Sequence, residues 1–135
     1  MYRETVEPEC VKYLLDQCPD FAPHWRRHRD EWGEEAAGLM IDLAVFGEYA
    51  ADAIERDHQG ELSRIAEAAD RLVGWPDKHV QSAAVVGFLE GLTNRCLGDP
   101  DRFPFPRLAR LLSANVIAAC RDLDDSWGTQ TPGVS

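Results

Sequence analysis

Apolar residues recur every three to four positions along most of this chain, the period of amphipathic helices, whereas β-branched alternation bounded by Asn-Gly or Asp-Gly turns is absent. Val11, Leu14, Leu15 and Cys18 predict a first helix over 7–17, ended by Cys18-Pro19-Asp20, since the residue before proline is pushed out of helical geometry. A short second helix follows over 21–30, interrupted by Gly33. The third, over 34–57, carries the stripe Ala36, Leu39, Met40, Leu43, Phe46, Gly47, Ala50 and Ile54. Ile41 and Val45 lie nearly opposite, so its middle is covered on two sides, and Gly60 marks its end.

A fourth helix over 61–73 turns Leu62, Ile65, Ala66, Ala69, Leu72 and Val73 inward. Gly74-Trp75-Pro76-Asp77 is a turn, with Asp77 placed to cap the fifth helix over 78–97. That helix has the most apolar centre of the chain, Glu90 being the one charge between Ser82 and Leu92, and its Gly87 and Gly91 permit close helix approach. After the proline-rich loop 98–106, Leu108, Leu111, Leu112, Val116, Ala119 and Cys120 predict a last helix over 107–123. The expectation is an all-α fold: one compact bundle of five to six antiparallel helices over 1–127, the third and fifth central, with a small, polar, frayed tail over 128–135.

Composition narrows what such a bundle does. With 135 residues the chain fits one domain, and 44% hydrophobic against 28% charged residues suits a folded core. The longest apolar runs, 43–46 and 83–89, fall far short of the roughly 20 residues that span a bilayer. The opening MYRETVEPEC lacks the basic then apolar start of a signal peptide, so the expected location is cytoplasmic and away from the membrane. Cys10 and Cys18 on one helix stand about 12 Å apart, beyond disulfide reach, and no CxxC occurs, so reduced, buried thiols are expected. Fourteen Lys and Arg against 24 Asp and Glu give a net charge of −10, which disfavours nucleic acid and suits a basic protein partner.

Candidate chemistry is sparse. In His24 to Trp32, HWRRHRDEW, two histidines share a helical face, as metal ligands would. Yet Trp25 stands where a zincin motif needs glutamate, and Arg26, Arg27 and Arg29 oppose a cation. The plainer reading is an amphipathic helix with Trp25 and His28 or Trp32 inward and its arginines meeting neighbouring acids. Glu55 and His58 form one ExxH step, where ferritin-like sites need two plus further glutamates. No cofactor-binding motif and no nucleophile motif occurs, so nothing argues for an enzyme.

The segments Cys18-Pro19-Asp20-Phe21, Asp42-Leu43-Ala44 and Phe88-Leu89-Glu90 followed by Leu92 resemble a family of small bacterial all-α domains of unknown function, over most of 8–127. The stretch from Asp77 to Leu92 resembles the second helix of a HEAT-type repeat. The resemblance implies a helical fold and carries no catalytic residue; some such domains are thought to act as immunity proteins beside bacterial toxins.

The acids say more. Glu67 and Arg71, four apart on the fourth helix, are expected to pair. Glu48, Asp52 and Glu55 recur on one outward side of the third helix, either as a solvated face relieved by Arg64 or Arg95 or as a docking strip for a basic protein. The functional expectation is a non-enzymatic protein-binding domain, of the kind of an immunity-type inhibitor of a basic toxin, with Glu48, Asp52 and Glu55 in contact. The alternative is a small helical enzyme or metal- or ligand-binding domain with a pocket near His24, Trp25 and His28.

Overall fold

The computed structural model describes residues 7–33, 35 and 37–134. Helix α1 spans Glu9–Gln17, and after a 3-10 turn at Pro19–Phe21, α2 spans Ala22–Trp32. Next come α3 (Leu39–Arg56), α4 (Gln59–Val73), α5 (Lys78–Ala83), a π-helical segment (Ala84–Leu89), α6 (Glu90–Gly98), α7 (Pro106–Ala109) and α8 (Ala114–Trp127). The described residues contain no strand, so the all-α expectation holds. Glu34 and the inward Ala36 lie outside the described residues, but residues 35, 37 and 38 are not helical and Gly38 takes φ 99, so the third helix starts at Leu39 and not at the expected 34.

The π segment and α6 lie along α3, with α2 and α4 against other sides of α3, α1 on α4, and α8 against α4 and α6. The third and fifth helices of the sequence are thus the central ones. Leu43, Phe46, Tyr49, Ile54, Phe88 and Leu92 are fully buried between them.

Two glycines set the α3 crossing. A Cβ at Gly87 would collide with the Met40 carbonyl, and one at Gly47 would stand 3.0 Å from the Phe88 carbonyl oxygen. This backbone-to-backbone contact falls within the π segment, whose i→i+5 turns place one extra residue in the coil. Gly91 has open space around it. Gly87→Ala should therefore destabilise the fold by about 1–3 kcal/mol, because the overlap outweighs alanine's helix preference. Gly91→Ala should stabilise it by up to about 1 kcal/mol. Thermal or chemical denaturation checks both, and equal effects would mean that the crossing does not run through Gly87.

Three expected boundaries are corrected. Helix α3 ends at Asp57, which takes φ 55 and donates its N–H to the Ala53 and Ile54 carbonyls, not at Gly60. Short polar residues such as aspartate tolerate this left-handed conformation. His58 then caps α4, its Nδ1 accepting the Glu61 N–H at 3.1 Å, and Gly60 falls inside that helix.

The single last helix is in fact two. Ser113 leaves helical geometry at ψ 162, accepts the Val116 N–H, and donates to Asp70 Oδ1 at 2.7 Å, so α8 starts afresh and Leu111 is left 38% exposed. A capping serine outcompeted a continuous apolar stripe.

The segment expected to fray is folded back in its described part, 128–134. Thr129 and Thr131 hydroxyls each donate to Asp124 Oδ1 at 2.7 Å, the Thr131 N–H donates to Oδ2, and Val134 is buried.

Candidate functional site

The segment HWRRHRDEW docks α2 onto α3 through its histidines. Spacing of four residues puts both imidazoles on one helical face. His24 Nε2 lies 2.9 Å from Asp52 Oδ2 and His28 Nε2 lies 2.8 Å from Asp42 Oδ1, the second pair being buried. Trp25 is buried against Phe21 and His28, its indole N–H reaching Glu7, while Trp32 is half-buried.

The arginines do not meet acids as expected. Arg29 stacks over the Trp25 ring at 5.9 Å, and among the described residues no carboxylate lies within ion-pair distance of Arg26, Arg27 or Arg29. The histidines took the aspartates because they sit on the side of α2 that faces α3.

Between α2 and α3 runs an open groove of ≈ 300 Å³. Ile41 and Ala44 of α3 and Trp32 of α2 supply its apolar surface, with Arg27, Glu31 and Glu48 beside them and His24 and His28 contributing to the wall. Ile41 is 44% exposed, high for a large apolar side chain inside a helix.

Of the three carboxylates expected to form a strip, Glu48 borders this groove and has no ion-pair partner among the described residues. Asp52 is half-buried against His24, and Glu55 pairs with Arg102 Nε at 2.6 Å. Relief thus comes from His24 and Arg102 instead of Arg64 or Arg95. Arg95 lies over the Phe103 ring at 5.0 Å, and Arg64 has its Nε buried without a hydrogen-bond partner among the described residues.

Both histidine Nε2 atoms face aspartates, so a metal would have to displace a carboxylate or bind through Nδ1, which in His24 is buried and has no hydrogen-bond partner among the described residues. Among the described residues, no group of three or more His, Cys, Asp or Glu side chains converges to hold an ion. Glu55 and His58 of the ExxH step diverge, one to Arg102 and the other to the α4 cap. The four cysteines are free and buried. Burial pushes the thiols of Cys18, Cys96 and Cys120 up to about 12 and also raises Cys10, so none offers a ready thiolate.

A polar network escaped the sequence reading. Glu61, 3% exposed, accepts from the Tyr49 hydroxyl at 3.0 Å and from Arg56 through both carboxylate oxygens at 2.9 Å. Burial alone would raise its pKa, but the Arg56 and Tyr49 hydrogen bonds and the charges of Arg56 and His58 hold the carboxyl below its usual value. Tyr49 moves the other way, upward, through burial and its bond to Glu61. The available signal was the spacing from Tyr49 to Glu61 across the short α3–α4 joint.

Fold and groove define the class: an all-α bundle around one core, with an open, partly apolar groove between α2 and α3. The chain belongs to a family described as a domain of unknown function, DUF7674, whose model matches residues 11–128. The motifs at 18–21, 42–44 and 88–92 lie inside that span. No curated protein and no solved structure matches the chain. Among the described residues no helix is long and apolar enough to cross a membrane.

Proposed function

We infer that this chain is a non-enzymatic protein-binding domain that receives a basic, partly apolar segment of another protein over the α2–α3 groove. The observation that carries this reading is Ile41, 44% exposed on the groove and one helical turn before Ala44, with the carboxylate of Glu48, which has no ion-pair partner among the described residues, at the edge. An apolar side chain of the partner would cover Ile41 and Ala44, and a lysine or arginine would meet Glu48. Asp52 and Glu55 extend the acidic strip but already have His24 and Arg102, so Glu48 carries most of its attraction. The net charge of −10 speeds approach of such a partner more than it tightens the final complex. An immunity-type inhibitor of a basic bacterial toxin in the cytoplasm is the specific form of this reading, supported by acidity and by the resemblance to small helical domains.

A photo-crosslinking residue at position 41 in the native cell tests the contact, with one at the exposed position 86 as control. The adduct at 41 should contain a basic protein, and association of the purified pair should slow as salt shortens the Debye length toward about 8 Å. Glu48→Gln should slow association about two- to fivefold at low salt, and replacing Glu48, Asp52 and Glu55 together by Gln should slow it further. Association indifferent to salt and to Glu48→Gln would sink the proposal. Stoichiometric zinc or iron in purified protein, lost in His24→Ala and His28→Ala, would move the reading to a metal or ligand pocket.

A further inference from the structure

Arg71, expected to pair with Glu67, does something else. Its guanidinium carbon lies 5.8 Å from the centre of the Tyr13 ring and 5.6 Å from that of Trp75. The two rings stand 5.8 Å apart, tilted by 58°. They come from separate parts of the fold, Tyr13 from α1 and Trp75 from the turn between α4 and α5, and both are half-buried while Arg71 is exposed. Glu67 accepts from Gln17 instead, at 2.9 Å, and Asp70 from Ser113.

Aromatic faces carry negative electrostatic potential, so two rings around one point attract a cation there. The carboxylates of Glu67 and Asp70 add to that potential, their charges reaching Tyr13. Arg71 shows which cation fits: a guanidinium, at contact range of both rings.

We propose that the Tyr13–Trp75 ring pair is a binding site for an arginine side chain of a basic partner protein, occupied in the free protein by Arg71. The basic partner comes from the reading above, but the site is built on α1 and the α4–α5 turn, and it can be tested with no partner present. An exposed cation–π contact is worth a factor of about two to five in an equilibrium, so an incoming arginine can displace Arg71. Flexibility of the exposed Arg71 side chain makes the exchange local, with no backbone change needed.

The test uses the full chain, labelled with nitrogen-15, carrying Arg71→Ala and titrated with N-acetyl-arginine amide. The four tryptophans give four indole N–H resonances, and loss of one in Trp75→Phe assigns that of Trp75. The Trp75 resonance should move along a saturable curve while that of Trp127, 64% exposed, stays in place. N-acetyl-norleucine amide should leave Trp75 unmoved, and Tyr13→Leu should abolish the arginine response. Arg71→Gln serves as a second vacated variant, with the remaining indole resonances reporting that the fold is kept. Wild-type protein should bind the same probe about two- to fivefold more weakly than Arg71→Ala. The proposal falls if the vacated variants give no saturable shift, if the neutral probe shifts Trp75 equally, or if Trp127 responds as strongly. It falls too if wild type binds as tightly as the variants, or does not bind at all.

Discussion

Phe88→Ala should lower the stability of this domain by about 3–5 kcal/mol, the largest single-residue effect expected here. Phe88 has no exposed surface, and its ring centre stands 5.0 Å from that of Phe46. Phe46 in turn meets Phe21 edge-on at 5.1 Å, so one line of rings joins the π segment, α3 and the 3-10 turn. Removing the first ring takes its apolar surface out of the core and leaves a cavity. The Gly87 crossing fixes the backbone on either side and limits collapse into that space. Small domains have only about 5–15 kcal/mol of stability, so the variant should be largely unfolded under mild denaturant. Chemical denaturation measures this through a lowered midpoint at unchanged slope. A midpoint within error of wild type would mean that the fifth helix of the sequence does not place Phe88 in the core.

Glu61→Ala should cost about 2–4 kcal/mol, through a different mechanism. Truncation strands the buried Tyr49 hydroxyl, a loss of about 1–3 kcal/mol, and removes the paired carboxylate from Arg56. Arg56 is about half exposed, so water takes up its charge and the ion pair adds only a modest share. Glu61→Gln keeps an acceptor for Tyr49 and should cost less.

The pH dependence has a definite sign. Because the folded carboxyl is held below its ordinary value of 4.5, its contribution is fully present above that pH. It is lost as pH falls below 4.5 and through the lower folded value. Asp124 behaves alike: burial opposes ionisation, but the Thr131 N–H and the Thr129 and Thr131 hydroxyls outweigh it. Wild-type stability should thus drop in acid, and Glu61→Gln should flatten that drop by its Glu61 share. Parallel acid profiles for the two proteins would show that Glu61 is not held ionised by the fold.

The helical class, the central place of α3 and of the rod from Lys78 to Gly98, and the burial of Leu43 and Phe88 were legible in the sequence. Each follows from a repeat of apolar residues within one segment, and a helix's buried face is written in that repeat. Asp77 as a cap was legible for the same reason, since a cap involves neighbours two residues apart, here the His79 N–H on Asp77 Oδ1. What the tertiary structure decided was every pairing between distant segments. The sequence offered Glu67 to Arg71, yet that guanidinium lies over the rings of Tyr13 and Trp75 and Glu67 accepts from Gln17. It offered Arg64 or Arg95 to the acids of α3, and His24 and Arg102 took Asp52 and Glu55. It read the histidine face of α2 as partly inward, with a metal or pocket near His24 and His28 only as the alternative, and it named no partner for either; the crossing of α2 over α3 placed aspartates against both. Side-chain partners across a bundle depend on which helical faces meet, at what angle and in what register. Those quantities arise only when the whole core packs at once, and no periodicity within a single segment encodes them.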